Sequence, residues 1–231
     1  MSHFRGDIGI KQDVYERHRQ WYGDLTGKKV LDFGCGRGNI LMLEIARQSA
    51  EYLAIDISAA AIEAVQRKLA AQQIAHARAE VLDLLALDES EKYDLIYAHS
   101  VLHHFKHFGP VLEKLSKHLN DDGIVIAHDP MDTAPVVHVL RALYRPFQDD
   151  KDWEWPFTRQ SIAEIQKYFR IAQVQGVLGH SKWAFPLYVV APGMGRQRGQ
   201  KAHQRDMLQA TDLDRDLYRC MQVSMLLTKK S

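Results

Sequence analysis

Residues 30 to 38 read Val30-Leu31-Asp32-Phe33-Gly34-Cys35-Gly36-Arg37-Gly38, a short apolar run closing on an acid and three alternate glycines. Such a run reads as a buried strand, and the glycines as a turn into a helix. Residues without a Cβ accept unusual dihedrals and let the backbone pass close to a ligand, so G-x-G-x-G points to a nucleotide-like cofactor. The dinucleotide fingerprint G-x-G-x-x-G fails, because its third glycine falls on Asn39. An aspartate two residues before the first glycine suits an ammonium or sulfonium better than a pyrophosphate.

Tyr52-Leu53-Ala54-Ile55 then runs into Asp56-Ile57-Ser58, which places a carboxylate where its two oxygens can hold two ribose hydroxyls. A third strand ends near Val81-Leu82 and delivers Asp83, with Asp88 as the alternative acid. A fourth, Tyr93 to Ala98, opens into His99-Ser100-Val101-Leu102-His103-His104-Phe105. Helical patterns lie between the strands: one from about Asn39, and one capped by Ser58 with Ile62, Val65 and Leu69 on a single face. A third starts at Pro110 with Leu112, Leu115 and Leu119 inward, and a fourth is capped by Thr158 with Ile162, Ile165 and Phe169 inward. Further strands are expected at Ile124 to Ala127, Ile171 to Leu178 and Met221 to Thr228. Strands alternating with helices predict a largely parallel sheet covered on both faces.

This order of motifs resembles the class I S-adenosylmethionine-dependent methyltransferases over most of the chain. The resemblance implies an α/β, Rossmann-like three-layer sandwich: a seven-stranded, mostly parallel sheet with an antiparallel last strand and helical lid insertions. It also implies S-adenosylmethionine as cofactor. Asp32, Gly34, Gly36 and Gly38 would wrap its methionine part, Asp56 its ribose and Asp83 its adenine amine, with Cys35, Asn39, Ile57, Leu84 and His99 bordering it. Cys35 reads otherwise as small filler. The L-H-H-F stretch is similar to the segment after the fourth strand in quinone, lipid and natural-product methyltransferases. Where such relatives often carry K-P-G-G, this chain has Asn120-Asp121-Asp122-Gly123, which preserves a tight turn.

At 231 residues and 46% hydrophobic content the chain can bury one substantial core, so a single domain is expected over residues 1–231. Thirty basic against twenty-nine acidic residues give no strong nucleic-acid signal. The first residues lack the apolar core of a signal peptide, and no apolar run approaches the roughly 18 residues that span a bilayer, so a cytoplasmic protein is expected. Two cysteines, Cys35 and Cys220, provide neither a disulfide framework nor a cysteine-rich metal site, and no metal is expected.

Ligands of open α/β sheets sit beyond the carboxyl ends of the strands. His99, His104 and His128 fall there and are the candidate bases, His99 first because it stands where amide- and amine-methylating relatives carry a catalytic asparagine or aspartate. The plainer reading of each is a hydrogen-bonded wall residue, and methyl transfer from an activated sulfonium needs little beyond alignment. Candidate substrate contacts are Tyr15 and Tyr22 in an N-terminal helical cover (about 1–27), His103 and His128, and Trp153 and Trp155 in a lid insertion at about 130–157 that also holds Val136, Val137, Leu140, Leu143 and Tyr144. A second insertion, 183–215, starts with the apolar run Trp183 to Pro192 and continues with Arg196, Arg198, Lys201 and Arg205. It suits a membrane surface carrying a lipid-soluble substrate, or RNA phosphates. A solvated mobile loop beside a hydrophobic lid is the plainer alternative. The expected activity is methyl transfer to oxygen, nitrogen or carbon of a small apolar or aromatic metabolite. An RNA or protein methyltransferase, or a non-catalytic cofactor-binding subunit, is the alternative. The oligomeric state stays open.

Overall fold

The structure is a computed structural model, and it describes residues 1–134, 138 and 153–230. Seven strands form one sheet: β1 (Lys29–Phe33), β2 (Glu51–Asp56), β3 (Ala77–Val81), β4 (Tyr93–His99), β5 (Leu119–Pro130), β6 (Phe169–Val177) and β7 (Gln222–Lys229). Their spatial order is β3-β2-β1-β4-β5-β7-β6. Strands β1 to β5 pair in parallel, and β7 runs antiparallel between β5 and β6. The expected sheet, with its antiparallel last strand, is therefore the one observed.

Alternation along each strand divides the core between two faces. Val30, Tyr52, Leu95, Tyr97 and Ile126 face α2 (Ile10–Tyr22), α3 (Met42–Gln48) and α4 (Ala59–Ala71). Leu31, Leu53, Ile96, Val125 and Met225 face α5 (Gly109–His118) and α6 (Arg159–Tyr168). Ser58 caps α4 through its side chain, with Ile62, Val65 and Leu69 buried, as their spacing requires. Thr158 caps α6 in a reciprocal box with Ser161.

Three boundaries differ from expectation. Asn39 does not open α3; its Oδ1 accepts from the backbone N–H groups of Leu41 and Met42, and the helix starts at Met42. Leu119 and Phe169 continue the apolar stripes of α5 and α6 but are the first residues of β5 and β6. The turn at Asn120–Gly123 survives as a bulge, since pairing jumps from Tyr93 opposite Leu119 to Leu95 opposite Ile124.

The largest correction concerns 183–215. Its basic part is not a flexible loop but α8 (Pro192–Gln209), which follows the short α7 (Phe185–Val190). Both pack on α1 (Ser2–Asp7) and the start of α2: the Phe4 ring meets Phe185 and Tyr188 edge-on at 5.5 and 5.1 Å. Asp7 ties α1 to α7 and α8, accepting from the Tyr188 hydroxyl at 2.6 Å and from Arg196 Nη2 at 3.2 Å. Buried Asp206 accepts from the N–H groups of Gly179, His180 and Ser181 and from the Ser181 hydroxyl, which fixes the turn after β6. Of the first lid insertion, Val136, Val137, Leu140, Leu143 and Tyr144 lie outside the described residues. Among the described residues no helix is long and apolar enough to cross a membrane.

Candidate active site

The chain leaves β1 toward β2 on one side and later returns to β4 on the other, so the carboxyl ends of β1 and β4 flank the point where strand order reverses. Open α/β sheets form their ligand crevice at that point. The glycine turn lies at the end of β1, and Gly34, Gly36 and Gly38 all have positive φ. At Gly34 the requirement is twofold, because a Cβ there would stand 2.2 Å from Val101 Cγ2 as well as at φ +64. At Gly36 a Cβ would meet nothing within 4 Å, so this part of the turn is open toward a ligand.

Asp56, at the end of β2, is oriented by the backbone: its Oδ2 accepts from Gly36 N at 2.9 Å and its Oδ1 from Ser58 N at 2.8 Å. The carboxylate is thereby fixed beside the glycine turn. Beyond it the exposed apolar side chains Ile57 and Leu85 border the same end of the sheet. Asp83 is exposed and caps the one-turn 3-10 helix Leu84–Ala86, accepting from Leu85 N at 3.0 Å. Leu84 departs from expectation: it is 1% exposed within the core, and its neighbour Leu85 faces out instead. Asp32 is buried, with Oδ2 accepting from the Tyr52 hydroxyl at 2.6 Å, and burial pushes its carboxyl up to about 7. Burial likewise raises the Cys35 thiol, so this residue is neutral filler.

A second feature lies at the ends of β4, β5 and β7. His99 and His128 are opposite each other in the sheet and stack at 4.8 Å and 19°. His18, from α2, is fully buried and edge-on to both rings. A hydrogen-bonded chain joins them: the Tyr97 hydroxyl to His18 Nδ1 (2.9 Å), His18 Nε2 to Ser224 Oγ (2.9 Å), and Ser224 Oγ to His128 Nδ1 (2.8 Å). Two proton arrangements satisfy this chain, one running in each direction. In one the Ser224 hydroxyl donates to His128, which then carries its proton on Nε2. In the other His128 donates from Nδ1 and Nε2 bears a free lone pair. Burial lowers His99 to about 4 and His18 to about 3, and it lowers His128 well below its ordinary range with help from the neighbouring histidines. All three rings are therefore neutral at neutral pH, as a proton acceptor must be.

Ser100, directly after β4, adopts φ +59 and donates its N–H to the His128 carbonyl at 2.7 Å, a strained turn that holds the two strand ends together. Beside it a cavity of about 200 Å³ is lined by Arg5, Ile10, Tyr15, His99, His128 and Gln222, among others. Tyr15 stacks on His99 at 5.7 Å.

Other candidates fall elsewhere. Tyr22 is buried, and its hydroxyl donates to Glu44 at 2.6 Å, a packing role rather than a substrate contact. His103 is buried with Nδ1 on Asp129 Oδ1 at 2.7 Å. Exposed His104 meets the Trp153 carbonyl through Nδ1 at 2.8 Å and lies tilted against the His103 ring at 4.1 Å, outside the His18–His99–His128 group. Trp153 is 70% exposed, and Trp155 lines a separate cavity of about 700 Å³ with Phe105, Phe108 and Tyr168. Among the described residues no group of histidine, cysteine or carboxylate side chains could hold a metal ion. Sequence reasoning missed Arg5 and Ser224. The latter had a signal, as the only polar side chain in Val223-Ser224-Met225-Leu226-Leu227, whereas Arg5 had none.

Residues 31–125 match a family described as methyltransferase domain. The chain is 34% identical over 84 residues to a ubiquinone biosynthesis O-methyltransferase of Acinetobacter baylyi, covering 36% of this chain and 35% of that protein. It is 23% identical over 128 residues to (S)-coclaurine N-methyltransferase of Papaver somniferum, covering 55% of this chain and 35% of that one. The chain thus spans about a third of the length of these two relatives. Magnesium protoporphyrin IX methyltransferase from Synechocystis, crystallised with SAH, superposes with a TM-score of 0.63 at 18% identity over 98% of this chain and 85% of that one. Residues 31–125 are thus similar to a methyltransferase domain, and the chain shares its fold with the Synechocystis methyltransferase.

Proposed function

We propose that this protein transfers the methyl group of S-adenosylmethionine to a small, largely apolar or aromatic acceptor. One observation carries the reading: the glycine turn, the backbone-oriented Asp56 and the neutral His99–His128 pair converge on the reversal of strand order. The cofactor fits the residues present. Gly36 leaves room for its amino-acid end, Asp56 offers a carboxylate to the ribose hydroxyls, and exposed Ile57 and Leu85 offer an apolar edge to the base. When bound, S-adenosylmethionine supplies a methyl group already activated by a sulfonium.

The chain's own residues then have two tasks. Tyr15, Ile10 and Val14 exclude water and orient the acceptor, which supplies much of the rate because alignment replaces lost translational and rotational freedom. His99 or His128 accepts the proton that the acceptor gives up, and Ser224 and His18 hold the His128 ring in register. The exposed apolar side chains Trp183, Val189, Val190 and Met194 support a peripheral contact with a membrane surface on the α7–α8 side.

The test is incubation with methyl-labelled S-adenosylmethionine and a panel of small phenols, amines and acids. Label transferred to an acceptor by the native protein but not by Asp56→Ala supports the reading. Tight cofactor binding with no transfer to any acceptor points instead to a binding subunit and overturns it.

A further inference from the structure

The cavity beside His99 and His128 carries a charge imbalance. Arg5 and Lys11 line it together with Tyr15, the two histidines and Gln222, and among the described residues no carboxylate does. Arg5 comes from α1, and its guanidinium is only partly used: Nη1 donates to Gln222 Oε1 at 3.1 Å, while Nε is buried without a hydrogen-bond partner. Among the described residues Arg5 has no ion pair. Nε lies on the same edge of the guanidinium as Nη2, and this two-donor edge is the fork that matches the two oxygens of a carboxylate. An arginine held this way is costly to keep, because a buried donor without a partner loses its hydration and regains nothing. The helix bearing it is not free to swing the side chain out. Phe4 is wholly buried against Phe185 and Tyr188, Ile8 is 2% exposed, and Asp7 is tied to Tyr188 and Arg196.

We propose that the acceptor carries a carboxylate, and that Arg5 receives it through its Nε–Nη2 edge while the apolar body of the acceptor lies on Ile10, Val14 and Tyr15. This proposal rests on the methyltransferase reading and narrows it to small organic acids. Arg5 is then a specificity-determining residue. It fixes one end of the acceptor so that the nucleophilic atom at the other end lies toward His99 and His128. The neutral state of those rings suits the arrangement, since the fixed charges lining the cavity are the Arg5 guanidinium and the Lys11 ammonium rather than a titrating imidazole.

The experiment uses the full chain in the presence of S-adenosylhomocysteine. Small aliphatic and aromatic carboxylic acids bearing a hydroxyl or amino group are titrated by ligand-observed NMR, each beside its neutral amide. S-adenosylmethionine affinity of the same samples is measured by calorimetry. The expected result is that acids bind at least about 10-fold more tightly than their amides, which corresponds to about 1.4 kcal/mol. Arg5→Gln should abolish that preference while S-adenosylmethionine affinity stays the same. Amides binding as well as acids, no acid of the panel binding, an Arg5→Gln protein that keeps the preference, or phosphomonoesters binding more tightly than carboxylates would each overturn the proposal. If S-adenosylmethionine itself fails to bind the native protein, it is the methyltransferase reading that has failed.

Discussion

His18, His99 and His128 touch ring to ring, and their side chains make no hydrogen bond or ion pair to a carboxylate among the described residues. Buried imidazoles without an acid stay neutral, and two measurable consequences follow. As pH falls below about 6.5 the unfolded chain takes up protons that folded His18, with its value near 3, refuses. The stability His18 contributes is therefore present above about pH 6.5 and lost toward its folded value, at up to about 1.4 kcal/mol per pH unit for each such histidine. Urea unfolding of the native protein should weaken steadily from pH 6.5 to 4.5, and His18→Gln should flatten that slope while lowering stability at pH 7. An unchanged slope in the variant would mean that His18 is not buried neutral. The second consequence is catalytic. His99→Asn or His128→Asn should lower kcat by about 10²-fold or more with S-adenosylmethionine affinity unchanged. His104→Asn, outside the group, should leave kcat within about 3-fold, since among the described residues its ring meets a backbone carbonyl and His103. Equal losses in all three would place the site differently.

At the scale of elements, α8 shows what a pattern-based reading misses. Its sequence Pro192-Gly193-Met194-Gly195-Arg196-Gln197-Arg198-Gly199 lacks an apolar stripe, and its glycines and cations imitate a flexible basic loop. The buried face consists instead of Gly195, Gly199, His203 and Asp206, spaced three and four apart. The seam is made by absent side chains: a Cβ on Gly195 would stand 2.2 Å from Tyr188 Cα, and one on Gly199 would stand 2.8 Å from Ile8 Cγ2. Hydrophobic periodicity cannot register a contact made by removing atoms. Gly195→Ala is therefore expected to destabilise by about 1–3 kcal/mol through overpacking, although alanine is the better helix former by about 1 kcal/mol. Thermal unfolding decides this, and a stabilised variant would show that the helix is not closely packed. Asp206 belongs to the same element. Asp206→Ala leaves the N–H groups of Gly179, His180 and Ser181 without their acceptor and should cost about 2–4 kcal/mol. A loss below about 0.5 kcal/mol would mean that the turn after β6 stands without it. Where helices present ordinary stripes and caps, as α4 does with Ser58, Ile62, Val65 and Leu69, the sequence suffices.

Across the whole molecule, the order of motifs settled the sheet before any contact was known, because G-x-G-x-G after one apolar strand and an acid after the next fit few alternatives. The residues proposed to hold the cofactor were legible for the same reason: they are consecutive residues at strand ends. The full set proposed to meet the acceptor was not. His99 and His128 lie on neighbouring strands, His18 and Arg5 come from the N-terminal helices, and Ser224 and Gln222 come from the last strand, so only folding brings them to one place. Tyr22, Leu84 and His104, which sequence alone placed near the site, have the partners Glu44, the core and the Trp153 carbonyl in the fold. The central claim is that the glycine turn and Asp56 hold S-adenosylmethionine at the reversal of strand order. The most direct measurement is calorimetric titration of the purified protein with S-adenosylmethionine and S-adenosylhomocysteine, repeated on Asp56→Ala. The account predicts micromolar binding of both ligands to the native protein and a loss of at least about 10-fold in the variant, because the ribose loses its carboxylate partner. Absence of binding to the native protein, or equal binding by Asp56→Ala, would contradict it.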